Sequence, residues 1–216
     1  MKIGYLNNLY VVHPPKDDVT ISTKIFRNEE NSSIYFSLGK NTYISEESYI
    51  NPTFYICLGG DLKLTSKELN YSLNKNDLFY NKEDTLLGEE TTNGTGYIEI
   101  QFGKENINMN SKIKAGEVLH LKDLLDYEED SISNLDLAHN DKMKFVLMAF
   151  DKDQSLSAHR APGEALIFVL EGEGIISYEG IDYKVKAGEQ FHFEKNGLHA
   201  VKALTKFKMA LLLTLD

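Results

Sequence analysis

The sequence contains two copies of one pattern, separated by a constant 112 positions (156 minus 44). The stretch ISEESYINPTFYICLGG at 44–60 aligns without a gap with LSAHRAPGEALIFVLEG at 156–172. The register continues beyond these stretches, since Tyr71 matches Tyr183. Stacked repeats of a solenoid would recur every few tens of residues and in more than two copies. The pattern therefore indicates the duplication of a whole domain.

The length of the chain agrees with two domains. Its 216 residues are enough for two compact units of about 100 residues, each able to bury its own core. We place the boundary near 114–117, which gives an N-terminal domain of residues 1–114 and a C-terminal domain of residues 115–216.

Both halves are rich in short segments of β-branched and aromatic residues, which are typical of strands. Turn residues such as Gly59-Gly60, Asn93-Gly94 and Glu179-Gly180 separate these segments. The spacing predicts an all-β sandwich or barrel in each half. The adjacent pair Glu89-Glu90 falls in a turn-like segment, so we expect both carboxylates to be solvated.

The runs TFYICL (53–58) and ALIFVL (165–170) carry apolar side chains on both faces, whereas a strand with one wet face should alternate. Something must therefore cover the outer face in both copies. The simplest cover is the other sheet or the other copy, which gives a pair of β-barrels related by pseudo-two-fold symmetry. A subunit interface in a homodimer would serve as well.

Composition excludes some partners. The net charge of −10 and the pI near 5.1 argue against nucleic acid and anionic membranes, because phosphate contacts need a basic face. The single cysteine, Cys57, rules out a disulfide within the chain. The N-terminal segment lacks the features of a signal peptide, and no segment has a membrane-spanning length. We therefore expect a cytoplasmic protein.

Two segments of the second half resemble the conserved motifs of the cupins, which are small jelly-roll β-barrels. They are HRAPGEALIFVLEGEG, from His159, and VKAGEQFHFEKNGLHA at 185–200. The resemblance implies two cupin-like jelly-roll barrels in tandem, a bicupin. His159 and His199 stand where the family places its first and last metal ligands, whereas the two positions between them hold Ala161 and Ala165.

In the first half none of the four ligand positions carries a histidine. They hold Glu47, Tyr49, Thr53 and Leu87. The resemblance therefore implies an N-terminal barrel without a metal site, which serves structure or binding only, and a remnant site in the C-terminal barrel.

A metal at His159 and His199 needs a further ligand, because a stable site normally has three or more. Glu164 is nearby, and two histidines with one carboxylate suit non-haem iron. Strand alternation directs Glu164 outward unless a bulge near Pro162-Gly163 shifts the register. The cofactor thus stays open between none and a divalent transition metal such as Fe, Mn, Ni or Zn.

The leading hypothesis is a small-molecule-binding protein with its pocket in the mouth of the C-terminal barrel. The residues expected to line it are His159, His199, Glu164, Gln190 and His192. One alternative is a metal-dependent dioxygenase or isomerase of a sugar or oxo-acid, as many cupins are. Another is an inactive scaffold for an oligomer. The fold alone does not decide whether the protein is an enzyme.

Overall fold

The computed structural model describes residues 3–27 and 30–215. Within these ranges the chain forms short β-strands, one turn of α-helix (α1, Leu9–Val12) and one turn of 3₁₀-helix (Leu121–Asp123). The all-β class predicted from the sequence is confirmed.

The strands of the first half precede residue 110. They are β1 (Leu6–Asn7), β2 (Thr20–Arg27), β3 (Ser32–Leu38), β4 (Tyr43–Ser48), β5 (Thr53–Gly60), β6 (Leu62–Thr65), β7 (Asn70–Leu73), β8 (Asp77–Asn81), β9 (Leu86–Glu90), β10 (Thr95–Gln101) and β11 (Asn108–Met109). Those of the second half are β12 (Val118–His120), β13 (Ile132–His139), β14 (Met143–Phe150), β15 (Ser155–Arg160), β16 (Ala165–Glu171), β17 (Glu173–Tyr178), β18 (Ile181–Lys186), β19 (Gln190–Phe193), β20 (Leu198–Ala203) and β21 (Phe207–Thr214).

The strands form two pairs of antiparallel sheets. The N-terminal barrel combines a sheet of order β12-β8-β5-β10-β3-β2 with one of order β4-β9-β6-β7. The C-terminal barrel combines β1-β19-β16-β21-β14-β13-β11 with β15-β20-β17-β18. The shared order, in which β8-β5-β10-β3-β2 corresponds to β19-β16-β21-β14-β13, confirms the tandem jelly rolls.

The 112-residue repeat also includes irregularities of strand pairing, which no hydrophobic pattern in the sequence marks. The β4–β9 pairing shifts register between Ile44 and Glu47, and the β15–β20 pairing shifts between Leu156 and His159. Both shifts are β-bulges, which re-aim the side chains that follow. The two copies therefore place Glu47 and His159 in the same structural position.

Each barrel takes an edge strand from the segment that leads into the other half. Leu6 of β1 pairs with Phe191 of β19, and Val118 of β12 pairs with Phe79 of β8. Leu6 and Val118 are 112 positions apart, and so are Phe79 and Phe191. The strand exchange is therefore part of the duplicated unit.

The chain divides into two compact units, and each unit includes the edge strand that it gains by this exchange. One comprises Met1–Asn8, Asn108–Asn110 and Lys122–Asp216, and the other comprises Leu9–Ile107 and Ser111–Leu121. A boundary at 114–117 lies within the segment that belongs to the N-terminal barrel. The separate roles assigned to residues 1–114 and 115–216 stay predictions.

The central strands are buried on both faces, as their apolar runs predicted. In β5 every residue from Thr53 to Cys57 is buried, and in β16 the same holds from Ala165 to Leu170. The inner face of β16 contributes Ala165, Ile167 and Val169 to the core of the C-terminal barrel.

The strand exchange leads to a prediction about fragments. We expect residues 1–114 and 115–216, expressed separately, to aggregate or associate, because each lacks the partner of an edge strand and exposes unpaired backbone. Co-expression should restore both pairings and yield a stable complex on size exclusion. A matched cut after residue 121 keeps β12 with β8, so the fragment 1–121 should be the more soluble. Two monomeric fragments from the cut at 114 that unfold cooperatively would contradict this expectation.

Candidate functional site

His159 and His199 lie next to each other in the C-terminal barrel. They occupy directly opposite positions of the β15–β20 pairing, so their side chains share one face of the sheet. The ring centroids are 4.3 Å apart, with an interplanar angle of 56°. His199 is only 7% exposed, whereas His159 is exposed to solvent. The pair therefore connects the barrel interior with the surface.

Backbone carbonyl groups hold both imidazoles in one tautomer. Nδ1 of His159 lies 2.8 Å from the carbonyl oxygen of Ser157, and Nδ1 of His199 lies 2.9 Å from that of Gly197. A carbonyl oxygen only accepts hydrogen bonds, so each Nδ1 carries the proton and donates. Each neutral ring thus keeps an unprotonated Nε2 for a ligand or a metal.

Burial favours the neutral form of the inner ring. The pKa of His199 is lowered, chiefly because burial disfavours the imidazolium, and the nearby His159 acts in the same direction. The Gly197 hydrogen bond opposes this shift.

The surroundings of the pair are apolar and small. The Phe193 ring stacks on His199 at a centroid distance of 4.3 Å and an interplanar angle of 25°. Ala161 and Ala165, at the two remaining cupin ligand positions, are both buried. The site therefore offers two acceptor nitrogens beside an aromatic face.

The structure places the other predicted site residues elsewhere. Nε2 of His192 lies 3.1 Å from Oε2 of Glu164. Side chains alternate along a strand, and Phe191 and Phe193 belong to the inner core, so His192 between them faces the opposite side of the sheet. The Gln190 side chain is on that side too and donates to the carbonyl oxygen of Gly188.

The donor set does not fit a stable transition-metal site. Among residues 3–27 and 30–215, no three His, Cys, Asp or Glu side chains are grouped so that they could hold a metal ion. Glu164, the expected third ligand, contacts His192 instead of the His159–His199 pair. Two imidazoles fall short of the three protein ligands usual for a catalytic zinc site.

The N-terminal barrel has a different interior at the corresponding place. Glu47 lies opposite Leu87 in the β4–β9 pairing, so no imidazole occurs there. Two buried carboxyl groups, Glu89 and Glu99, lie deeper, each 3% exposed. The expectation that Glu89 is solvated is wrong: it lies in β9, and its side chain shares the inner face with Leu87 of the core cluster.

Glu99 was not predicted as a functional residue, because the segment GYIEIQF (96–102) has the composition of an ordinary core strand. In β10 the residues Tyr97, Glu99 and Gln101 alternate with Ile98 and Ile100, and nearly the whole strand is buried. The alternation of polar and apolar residues along this strand could have identified Glu99. Side chains of a strand alternate between its two faces, so in a strand buried on both faces one of the two sets lies inside the barrel. In β10 this inner set is the polar one, which includes Tyr97 and Glu99.

The pKa values of both carboxyl groups are raised. Burial, followed by the charge of Glu99, raises the pKa of Glu89 to about 8. Burial also raises the pKa of Glu99 to about 7, against a hydrogen bond of 2.8 Å from Nε2 of Gln101. Near neutral pH the two groups hold protons that exposed carboxylates would release.

Comparisons with known proteins agree with the fold. A family model described as "Cupin domain" matches residues 146–215. A cupin 2 conserved barrel domain protein from Leptotrichia buccalis is 26% identical, with a TM-score of 0.87, over 99% of this chain and 98% of its own. No curated protein matches the sequence.

More distant structures share the fold alone. Protein Ylba from E. coli is 11% identical, with a TM-score of 0.63, over 97% of this chain and 89% of its own. A salicylate 1,2-dioxygenase from Pseudaminobacter salicylatoxidans is 11% identical, with a TM-score of 0.62, over 85% of this chain and 70% of its own. Together with the domain match, these structures support the resemblance to the cupin superfamily.

No helix within the described ranges is long and apolar enough to cross a membrane.

Proposed function

We propose that the protein is a bicupin that binds a small organic molecule at the His159–His199 pair of the C-terminal barrel. The observation that supports this most is the orientation of the two imidazoles. Both donate through Nδ1 to the backbone and keep Nε2 as an acceptor, and the two ring centroids are 4.3 Å apart.

The arrangement suits a ligand with hydroxyl or N–H donors. Two neighbouring acceptors can receive hydrogen bonds from adjacent donor groups. The buried Phe193 ring stacks on His199 and holds this imidazole in place, and the two buried alanines present no competing polar group. Such sites combine an apolar wall with a few placed polar groups.

A metal-dependent dioxygenase is the second candidate. The name of the salicylate 1,2-dioxygenase brings this activity into consideration, but at 11% identity only the fold is shared. The histidine pair would form part of such a site. A metal would still need donors from water or substrate, because the described residues supply no third protein ligand there.

Substitution of either histidine tests the proposal. We expect His159→Ala and His199→Ala each to weaken ligand binding by about 1–3 kcal/mol, the cost of leaving a buried partner without its hydrogen bond. Binding can be measured by saturation-transfer NMR with hydroxylated aromatic and sugar acids, salicylate among them. His139→Ala is the control, because His139 is a partly exposed histidine that pairs with Asp136.

Elemental analysis of protein purified without a metal-affinity tag separates the two candidates. A binding protein should contain far less than one metal ion per chain before and after substitution. One ion per chain that disappears in both alanine variants, but not in His139→Ala, would contradict metal-free binding and support the dioxygenase. Unchanged binding of a responding probe in both variants would contradict the assignment of the pair.

A further inference from the structure

The interior of the N-terminal barrel contains acidic and phenolic groups that form no complete network. We propose that this cluster, composed of Glu47, Tyr49, Tyr55, Glu89, Tyr97 and Glu99, is a second binding site that takes a small molecule with a primary ammonium group. This site is independent of the histidine pair, since no residue of the cluster belongs to the C-terminal barrel.

The two inner carboxyl groups have no basic partner among the residues that the structure describes. Glu89 and Glu99 are almost completely buried, and within the described part of the chain neither forms an ion pair with a lysine or arginine. A buried charge without a partner is costly, so a folded protein normally pairs or neutralises it. Here burial and the charge of Glu99 raise the pKa of Glu89, so a proton rather than a basic side chain neutralises it.

Two buried tyrosine hydroxyl groups support a binding role for this cluster. Tyr97 and Tyr55 are fully buried, and neither hydroxyl has a hydrogen-bond partner among the described residues. Both interact electrostatically with Glu89 and Glu99, and the Tyr55 hydroxyl is near Glu89 without forming a hydrogen bond of ordinary geometry. A buried hydroxyl group without a hydrogen-bond partner costs stability, and together with Glu89 and Glu99 the two phenols make four buried polar groups that one ligand could satisfy.

The cluster extends towards solvent. Glu47 is exposed, Tyr49 is half-buried, and the Tyr49 hydroxyl donates to Oε2 of Glu47 at 3.1 Å. Glu47 also contributes to the raised pKa values of Glu89 and Glu99, which shows that the outer and inner groups act on each other. A cation would therefore meet carboxyl oxygens from the surface to the interior.

The second half shows that the fold does not require these polar residues. At 112 positions further along, Glu89 corresponds to Val201, Glu99 to Leu211, Tyr97 to Met209 and Tyr55 to Ile167. These four apolar residues belong to, or pack against, the core of the C-terminal barrel. Because apolar side chains fill the same positions in one copy, the polar set in the other costs stability without a structural need.

The chemistry of the cluster selects a primary ammonium ion. Its three N–H donors match the carboxylate and hydroxyl oxygens, and its charge neutralises the carboxylates. The tyrosine rings add cation–π attraction. A transition metal is a poorer match, since the described residues contain no group of three ligating side chains close enough to share an ion. A neutral alcohol would leave the carboxyl groups unpaired.

Calorimetric titration with n-butylammonium tests the proposal, in phosphate buffer at pH 8 because Tris is itself a primary amine. We expect saturable binding to the intact protein, at least tenfold weaker binding to Glu89→Gln and Glu99→Gln, and unchanged binding to Glu46→Gln. Glu46 is the exposed neighbour of Glu47 on β4, so it controls for a general loss of negative charge. Tyr97→Phe should weaken binding severalfold if its hydroxyl accepts from the ligand.

Three companion titrations decide between the alternatives. 1-Butanol has the same number of heavy atoms but no charge, and tetramethylammonium has the charge but no N–H donor. Mn²⁺ represents a divalent ion and is titrated in HEPES buffer, because it precipitates with phosphate. Equal binding of 1-butanol or tetramethylammonium, binding of Mn²⁺ alone, or no saturable binding of n-butylammonium up to 100 mM would each overturn the proposal. His159→Ala should leave n-butylammonium binding unchanged, so failure here is distinguishable from failure at the histidine pair.

Discussion

Replacement of Glu89 by glutamine should stabilise the protein at pH 8 and have almost no effect at pH 5. Burial, followed by the charge of Glu99, raises the pKa of Glu89 to about 8 in the folded state. In the unfolded chain the carboxyl group titrates near its ordinary value of about 4.3. A raised carboxyl pKa means that the folded protein binds more protons than the unfolded chain between these values, so stability falls as pH rises through that window.

The size of the effect follows from the shift. One pKa unit corresponds to about 1.4 kcal/mol, and with allowance for the coupling to Glu99 we expect the wild type to lose about 2–4 kcal/mol relative to Glu89→Gln between pH 5 and pH 8. Glu47, Tyr49, Tyr55, Tyr97 and Gln101 also face this pair, but the phenolic pKa values that are resolved lie above the window.

Urea unfolding at pH 5, 6.5 and 8 measures this difference. Glu90→Gln is the matched control, because Glu90 is the next residue of the same strand and its side chain is directed to the other face. We expect the Glu90→Gln curve to run parallel to that of the wild type. A Glu89→Gln curve that is also parallel would mean that Glu89 is ionised without penalty in the folded protein.

The fold was predictable because duplication repeats every local constraint. The apolar runs, the turn glycines and the spacing of the strands recur at an offset of 112 positions. An element that is ambiguous in one half can therefore be assigned from its counterpart in the other half. The bulges before Glu47 and His159 recur as well, although no residue type identifies them.

The exchange of the first strand of each half was not predictable from these patterns. β1 and β12 are two and three residues long, too short to show periodicity, and their role depends on pairing with Phe191 and Phe79 far away in the sequence. Short strands take their structure from tertiary context, which a sequence window does not contain.

The candidate sites were predictable only in part. The resemblance to cupin motifs identified His159 and His199, because the motif encodes positions that the barrel brings together. It gave no information about the N-terminal barrel, where the motif is absent. There the informative feature was strand alternation, which places Glu99 on the same inner face as Tyr97.

The interiors of the two barrels therefore differ although their framework is the same. The C-terminal interior is apolar up to the histidine pair, whereas the N-terminal interior keeps buried carboxyl and phenol groups. Because each barrel has its own hydrophobic core, substitutions inside one barrel leave the core of the other intact.

Replacement of Gly172 by alanine should destabilise the protein by more than about 3 kcal/mol, a large part of the 5–15 kcal/mol typical of a folded domain. Gly172 has φ +79°, a left-handed conformation that costs a residue with a side chain about 1–3 kcal/mol. An added Cβ would also lie 1.9 Å from the carbonyl oxygen of Lys206, so the backbone must shift. Gly60, the equivalent residue of the first half, has φ +81° and a 2.0 Å approach to the carbonyl oxygen of Gly94.

Gly180 separates the two causes of this loss. Its φ of +82° is almost the same, but an added Cβ would have no atom within 4 Å. Gly180→Ala should therefore cost only the conformational part, about 1–3 kcal/mol. Urea unfolding of both variants measures the difference, which isolates the close approach between the Gly172 turn and the segment that carries Lys206. If the two variants lose the same free energy, the left-handed backbone alone determines the need for glycine, and the strands on either side of Gly172 have room to move apart.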